Sequence, residues 1–318
     1  MAGTITGQHR STVSGRSDRA GLYRCRLACR AAQCLTLLAA LTLLVPSASG
    51  FGQRGHEIVA QLSTYYLSDA AEQLVIELYS DNYRRLLLED AFFAERLTRQ
   101  RGNAWRLGYH YTWFNEGDEA FDPDHHCPNS ICSVAAVLAS EQVLINPDAS
   151  RNERLNALRF LIHYMGDLHD PVNAGFAQDR GGRETELVAS SLDRISLHAV
   201  WQHELFDHLP HPPFVMANLW SRTLSDDDRQ RWQQGEPVDW IWETHELARD
   251  LAYPLAESAG GWNAIYRREA LPALETQLKK AAVRLAMRLN QIADGTLDDS
   301  PPMDIDDPMN ATELLEFN

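Results

Sequence analysis

Apolar residues recur at helical spacing along most of the chain. Residues 155–168 and the stretch from Leu274 to Ile292 carry them every three or four positions, which places them on one face of a helix. The second stretch stops before Gly295, a residue type that commonly follows a helix end. Residues 56–67 show the same spacing, at Ile58, Val59, Leu62, Tyr65 and Tyr66. No stretch combines β-branched residues with sustained period-two alternation, so the pattern predicts an all-α protein.

The first fifty residues differ in character from the rest. An arginine-bearing stretch runs into an apolar segment at 35–45, followed by small residues at Ala48 and Gly50. The apolar segment is too short to cross a bilayer, and the small residues suit cleavage by signal peptidase. We predict that residues 1–50 are a cleaved secretory signal and that the mature chain begins at Phe51. The protein would then be secreted or periplasmic; the alternative is an uncleaved anchor, which the short segment disfavours.

The remaining sequence predicts one domain and a tail. No internal repeat or linker interrupts residues 51–295, which we interpret as a single helical domain. Residues 296–318 are acidic and rich in proline, a composition typical of a flexible tail. Three of the five cysteines lie in the predicted signal. The remaining pair, Cys127 and Cys132, predicts a local disulfide in an exported protein.

The charge balance limits how the protein can bind nucleic acid. The formal charge is −15, and the first fifty residues contribute +5, which leaves −20 for everything after Gly50. Affinity for nucleic acid through a broad basic face requires many Lys and Arg to neutralise phosphates. Such a face is excluded here. A phosphate-bearing substrate would need cations supplied locally.

One short segment places an imidazole and a carboxylate together on an apolar helix face. His163 and Asp167 are four residues apart in Leu161-Ile-His-Tyr-Met-Gly-Asp-Leu-His169, so both point the same way. Leaving either group unmatched in a core costs several kcal/mol in order of magnitude. The spacing alone leaves two interpretations open, a metal site and a structural His–Asp hydrogen bond.

Three further histidines are candidates of unequal weight. His110 and His198 each also fit a satisfied, partly buried histidine. His56 lies five residues after the predicted new N-terminus. That position makes sense if the α-amine and carbonyl of Phe51 chelate a metal together with His56.

Taken in order, these residues resemble a known family. The strings are Phe-Gly-Gln-Arg-Gly-His56, Phe-Ala-Glu95, His110-Tyr, His163-x-x-Gly-Asp167-x-His169-x-Pro171, Asp179-Arg-Gly-Gly182 and Leu-His198-Ala-Val-Trp201. The set resembles the zinc-dependent nucleases of fungi and plants (nuclease S-one/P-one type), whose fold is similar to zinc-dependent phospholipase C. The resemblance spans nearly the whole predicted mature chain.

The resemblance implies an all-α protein with a zinc cluster at the base of a cleft that hydrolyses phosphate esters. One zinc would bind Glu95, His110, His163 and Asp167. A second would bind the amine and carbonyl of Phe51, with His56 and a bridging Asp167. Neutral nitrogens and hard oxygens suit zinc and leave manganese open. Glu95 and Asp167 are the candidate catalytic residues, because their ions would activate a water between them.

The sequence departs from the family at the third zinc. The family's ligands there are two His and one Asp, whereas this chain has Asn173, His198 and Gln202. Amides carry no charge and bind zinc poorly, so we expect two ions and a doubtful third. The candidates to replace the lost ligands are Asp170, His203 and Asp207. Three substitutions keep or alter the pocket: Phe51 replaces Trp, Glu95 replaces Asp, and Arg183 replaces Asn.

The sequence thus predicts a secreted, metal-dependent phosphoesterase. Its expected substrate is single-stranded nucleic acid or a nucleotide, cleaved in the manner of an endonuclease or 3'-nucleotidase. We expect no stable membrane association, and no protein partner is implied. One alternative, favoured by Asn173 and Gln202, is a catalytically weakened protein that captures a phosphate-bearing ligand. A phospholipase C-like lipid hydrolase is another, although no amphipathic or Trp-rich surface segment argues for membrane contact.

Overall fold

A computed structural model describes residues 1, 3, 4 and 51–298 of the 318-residue chain. Nearly all of the predicted signal peptide and most of the predicted acidic tail lie outside these residues. Helices dominate the described part, which confirms the predicted all-α class. No helix in residues 51–298 is both long enough and apolar enough to cross a membrane.

Thirteen α-helices and one hairpin make up the regular structure of residues 51–298. The α-helices are α1 Gln53–Ser63, α2 Asp69–Tyr79, α3 Tyr83–Asp90, α4 Phe93–Thr98, α5 Pro123–His126, α6 Ser133–Ile145, α7 Arg151–Asp167, α8 Leu197–Ala199, α9 Pro213–Thr223, α10 Asp226–Trp232, α11 Pro237–Leu247, α12 Tyr253–Ser258 and α13 Ala264–Asp294. Short helical turns of 3-10 or π geometry cover Ala104–His110, Pro128–Ser130, Ala177–Asp179, Val200–Glu204, Phe206–His208 and Ala248–Ala252. The strands are β1 Glu186–Val188 and β2 Arg194–Ser196.

The predicted helices begin and end where their capping residues lie. Helix α7 starts at Ser150, which forms a reciprocal capping box with Glu153. Helix α13 starts at Asn263, whose side-chain oxygen accepts hydrogen bonds from two backbone N–H groups of the first turn. Its end at Gly295 has a left-handed φ of 66°, as the sequence predicts. The three predicted helices are therefore confirmed, with α1 ending a few residues earlier than the apolar pattern.

The long helix α13 organises the core. It packs against α1, α2 and α7, and α7 packs in turn against α6. Its inward face is apolar, with Leu274, Leu278, Leu285 and Leu289 buried. Burial of apolar surface of this kind stabilises a fold by about 25 cal/mol per Å². The core therefore holds α1 and α7, the two helices that carry His56, His163 and Asp167, in fixed relative positions.

Two extended segments bring the chain after His110 against the loop that follows α7. The backbone N–H of Thr112 donates to the carbonyl of Asn173 at 3.0 Å, and that of Phe114 donates to the carbonyl of Gly175 at 3.0 Å. An isolated parallel bridge joins Phe114 and Phe176. His110 therefore lies beside the end of α7 although more than fifty residues separate them in the sequence.

Two local features complete the fold. Cys127 and Cys132 form the predicted disulfide, with Cα atoms 5.1 Å apart. The antiparallel hairpin of β1 and β2 is an element that the sequence pattern does not predict, because strands of three residues are too short to show alternation. The hairpin leads directly into α8, which carries His198.

A buried ion pair links α13 to α6. Arg288 donates two hydrogen bonds to Glu141, Nε to Oε1 and Nη2 to Oε2, each 2.7 Å long. Both side chains are almost fully buried. Paired charges in a low-dielectric interior tolerate burial, but either charge left alone there is strongly destabilising.

We predict that Arg288→Met lowers the free energy of unfolding by about 3–5 kcal/mol, because Glu141 is left as an uncompensated buried charge. The double variant Glu141→Leu/Arg288→Met should recover most of that loss. Urea unfolding followed by circular dichroism measures both. The control Arg249→Met removes an exposed Arg–Asp pair and should change stability by less than about 0.5 kcal/mol. Equal losses in Arg288→Met and Arg249→Met would contradict the prediction.

Candidate metal centre

Helix α7 supplies the centre of a buried polar cluster. His163 and Asp167 lie one turn apart on the same face, as their spacing predicts, and neither has any solvent exposure. The distance from His163 Nε2 to Asp167 Oδ2 is 3.2 Å. The other imidazoles around this pair come from different parts of the chain.

Three imidazoles surround the carboxylate of Asp167. His110 Nδ1 is 2.8 Å from Oδ2, and His56 Nε2 is 3.4 Å from Oδ1. His163 and His110 also approach each other, with 3.2 Å between Nε2 and Nδ1. The ring of His56 stacks on that of His163 at a centroid distance of 4.1 Å. Asp167 is therefore the common neighbour of all three histidines, as a bridging ligand would be.

Glu95 closes the other side of the cluster. Its Oε2 lies 3.9 Å from His110 Nε2, and its Oε1 accepts a hydrogen bond of 3.0 Å from Arg99 Nε. Thr98 Oγ1 also contacts His110 Nε2 at 3.2 Å. Glu95 and Thr98 both belong to α4, so this short helix positions the carboxylate and supports the ring of His110.

The start of α1 brings His56 and Phe51 together. His56 Nδ1 contacts the carbonyl oxygen of Phe51, and Phe51 itself is fully buried. The adjacent backbone is anchored by a 3.0 Å hydrogen bond from Gly52 N–H to the carbonyl of Gln202. A Cβ at Gly52 would lie 2.4 Å from that carbonyl oxygen, so only glycine fits this approach.

Glycine at position 166 allows α7 to pass beside His56. A Cβ there would lie 2.9 Å from Cδ2 of the His56 ring. One turn earlier on α7, His163 Nδ1 lies 3.0 Å from the carbonyl oxygen of Ala91. That carbonyl can only accept, so the proton sits on Nδ1, and Nε2 presents its lone pair to the cluster. This arrangement prepares a neutral imidazole for metal binding.

The protonation states of His163 and Asp167 also suit metal ligands. Burial lowers the pKa of His163 to about 4, and the charge of His56 adds to the shift. Burial alone would raise the pKa of Asp167, but His163 and His110 hold it well below its usual value. Burial raises the pKa of Glu95, and the charges of His110 and Arg99 offset this only in part. At neutral pH, His163 is therefore neutral and Asp167 is ionised, the forms that bind a cation.

Whether a metal fits the cluster can be judged from its ligand atoms. Some of them are buried and have no hydrogen-bond partner among the described residues. Two groups have ligand atoms within 4.8 Å of one another: His56, His163 and Asp167, and Glu95, His110 and His163. His56 Nε2 and Glu95 Oε2 are buried without a hydrogen bond to any described residue. Buried polar atoms are normally satisfied. Imidazole nitrogens and carboxylate oxygens with no thiolate are a donor set that suits zinc.

The residues of the predicted third site belong to neither of these two groups, although one of them contacts Asp167. His198 belongs to neither group. Its ring is held by a contact of 3.2 Å between Nδ1 and the carbonyl oxygen of Gly181. Asn173 Nδ2 donates to Asp167 Oδ1 at 3.0 Å. Gln202 Nε2 lies 3.4 Å from Asn173 Oδ1 and donates to Asp170 Oδ2 at 2.7 Å. The two amides therefore link two buried carboxylates to each other.

Of the three suggested replacements, only Asp170 is part of this network. It is fully buried, and burial raises its pKa to about 8. His203 and Asp207 are exposed. Sequence spacing could not select Asp170, because its role depends on the side chain of Gln202, which comes from a distant segment.

His169 lies in the family-like string but not in the cluster. Its Nδ1 lies 2.8 Å from the carbonyl oxygen of Met165, and its Nε2 accepts a 2.9 Å hydrogen bond from Arg284 Nη1 on α13. Burial lowers the pKa of His169 to about 3, and the charge of Arg284 contributes. This histidine links α7 to α13 and takes no part in the candidate metal centre.

Comparison with known proteins gives one family. The S1/P1 nuclease family profile matches residues 51–294. The chain is 27% identical to Endonuclease 5 of Arabidopsis thaliana over 277 residues, which cover 79% of this chain and 93% of that protein. It is 25% identical to Nuclease S1 of Aspergillus oryzae over 286 residues, which cover 81% and 97%. With Nuclease P1 of Penicillium citrinum the identity is 22% over 265 residues, covering 76% and 97%.

We predict that His163→Ala lowers the zinc content and removes most of the stabilisation that zinc provides. His163 is common to both ligand groups, and a ligand present at about 100 times its Kd stabilises a fold by about 2.7 kcal/mol. Metal analysis and thermal unfolding with and without a chelator measure these effects. The control is His125→Asn, which alters an exposed histidine that pairs with Asp122. This variant should bind as much zinc as the wild type and be stabilised by zinc to the same extent. A full zinc response in His163→Ala would contradict the ligand assignment.

Proposed function

Since the chain belongs to the S1/P1 nuclease family, we propose that it is a metal-dependent phosphoesterase that hydrolyses phosphodiester bonds in single-stranded nucleic acid. Endonuclease and 3'-nucleotidase-like activity are both included. The relatives named above are nucleases, and they align over nearly their whole length. The single observation that carries the proposal is the buried cluster around Asp167. In it, His56 Nε2 and Glu95 Oε2 have no hydrogen bond to any described residue, and both atoms are of the kind that bind a cation.

The proposed ligands divide into two sets that share Asp167. Glu95, His110, His163 and Asp167 would hold one zinc. His56 with the amine and carbonyl of Phe51 would hold the second, and Asp167 would reach both. When bound, zinc lowers the pKa of a water molecule towards neutrality and stabilises negative charge on a phosphate group. Nuclease activity of an acidic protein then requires no broad basic surface.

The protein's own groups fix the ligands before any substrate arrives. His163 is oriented by the Ala91 carbonyl, and Arg99 holds one oxygen of Glu95 while leaving the other for a cation. Asp167 stays ionised in a fully buried position because imidazoles surround it. Such preorganisation means that the cluster needs little rearrangement during the reaction.

The N-terminal chelate connects activity to export. In the proposed mature protein, cleavage after Gly50 makes the nitrogen of Phe51 a free α-amine beside the carbonyl that already contacts His56. An amine and a carbonyl of one residue can bind the same ion, whereas a peptide nitrogen is a poor ligand. The proposed location is therefore the cell exterior or the periplasm.

We predict that a methionine retained before Phe51 reduces bound zinc from about two ions per chain to about one. The extra residue converts the α-amine to a peptide nitrogen without disturbing the core. Metal analysis, N-terminal sequencing and circular dichroism test this. A control protein that begins at Phe51 and carries one extra residue after Asn318 should bind two. Two ions in both proteins would show that the N-terminal chelate is wrong.

We predict that Asp167→Asn lowers the rate of hydrolysis of single-stranded DNA by at least about 10³-fold, because the amide cannot supply the charge that both ions share. Hydrolysis by the wild type should stop with chelator and return with zinc. Asp118→Asn is the matched control, since Asp118 also pairs with a buried histidine, His126, at 2.8 Å but outside the cluster. Full activity of metal-free wild-type protein would refute the proposed function.

The same assays separate the alternatives. Asn173 and Gln202 favour a second candidate, a protein that keeps the zinc centre but captures a phosphate-bearing ligand. Tight binding of a nucleotide without turnover, at full metal loading, would support capture. Hydrolysis of phosphatidylcholine vesicles in preference to single-stranded DNA would instead indicate a lipid hydrolase.

A further inference from the structure

Arg183 is a half-buried cation without an acidic partner. Its Nη2 donates to the hydroxyl of Tyr111 at 2.7 Å, and its Nη1 donates to the carbonyl of Arg180. The guanidinium carbon lies 4.7 Å from the ring centre of Tyr111 and 5.6 Å from that of Trp113. No carboxylate in residues 51–298 lies within 4.0 Å of it. Arg284, by contrast, is paired with Glu243.

The position of Arg183 is next to the candidate metal centre. Tyr111, on which it stacks, follows His110 directly in the sequence. The two glycines that precede Arg183 hold His198, because Gly182 O accepts its backbone N–H at 3.0 Å and Gly181 O contacts its Nδ1. The positive charge of Arg183 reinforces the lowering of the His198 pKa that burial causes. Arg183 therefore faces the side of the cluster where His198 lies.

The other polar side chains on this side carry no positive charge. The amide nitrogens of Asn173 and Gln202 donate to the acidic side chains of Asp167 and Asp170, respectively. His198 Nε2 and Gln202 Oε1 are buried and have no partner among the described residues. Both are acceptors in their neutral forms. Of these groups, only Arg183 carries a fixed positive charge.

We propose that Arg183 binds a non-bridging oxygen of the substrate phosphate beside the zinc centre. With Asn173 and Gln202 it would replace a third cation by a fixed guanidinium charge. An arginine suits this role, because its planar fork donates charge-assisted hydrogen bonds to phosphate while it stacks on aromatic rings. The proposal rests on the proposed function, which supplies the phosphate group.

The role also defines a specificity. A guanidinium recognises the charge and shape of a phosphate but is a weaker electrostatic stabiliser of a leaving oxygen than a divalent ion. Substrates with good leaving groups would therefore depend less on the missing cation than those with poor ones. Arg183 is a binding residue for the phosphate, and the ions remain responsible for the water.

Inorganic phosphate binding to the zinc-loaded mature protein tests the proposal without requiring turnover. Arg183→Gln should weaken phosphate binding, measured by titration calorimetry at fixed ionic strength, by about tenfold or more. Arg183→Lys keeps the charge but loses the planar guanidinium, so its phosphate affinity should lie between those of the wild type and Arg183→Gln. Zinc content should be the same in all three proteins. Arg180→Gln is the matched control, because Arg180 is exposed and contributes only its carbonyl to Arg183.

The outcomes distinguish the two proposals. Phosphate affinity of Arg183→Gln within twofold of wild type, at equal zinc content, would overturn the role of Arg183. Loss of zinc in that variant would also overturn it, since the residue would then support the metal centre. If Arg183→Gln does not fold, unchanged phosphate affinity in Arg183→Lys together with unchanged salt dependence contradicts the proposal. Wild-type protein that binds zinc and phosphate but cleaves no nucleic acid would defeat the proposed function alone.

Discussion

The arrangement of the candidate site depends on one ionised carboxylate held in the interior. Asp167 has no solvent exposure, yet three imidazoles and one amide surround it. An isolated buried charge costs far more than the marginal stability of a domain. The fold therefore has to bring compensating groups to this point from distant parts of the chain. Helix α1, the turn at residues 104–110 and helix α7 each contribute one imidazole.

The same constraint explains why close backbone approaches recur around the cluster. Gly166 lets α7 lie against the ring of His56, and Gly52 lets the start of α1 meet the carbonyl of Gln202. Both contacts exclude even a methyl group. Side chains that must share a cation within a few ångströms require backbones that are close as well, which small residues permit. The geometry of the centre therefore depends on these two glycines as well as on the ligand residues.

Sequence reasoning succeeds where the information is local. His163 and Asp167 share a face because one turn of helix separates them, and the Cys127–Cys132 disulfide follows from a short spacing. It gives no answer where tertiary packing decides. His169 is two residues from Asp167, yet it lies beyond the end of α7 and turns towards Arg284 on α13. Likewise, the three-residue strands of the hairpin have no pattern of their own, and their pairing stabilises them.

The spacing of Asn173 and Gln202 in the sequence does not predict that they contact each other. Their contact changes how the replacement of two family metal ligands by amides is interpreted. Each amide looks like the loss of a metal ligand when it is taken singly. Together they form a hydrogen-bonded link between Asp167 and Asp170, which gives each of these buried acidic side chains an amide donor. The two amides are neutral, so they bring no positive charge to this side of the cluster. Arg183 supplies a positive charge close by. In a strongly acidic protein, a few fixed cations then decide where a phosphate can bind.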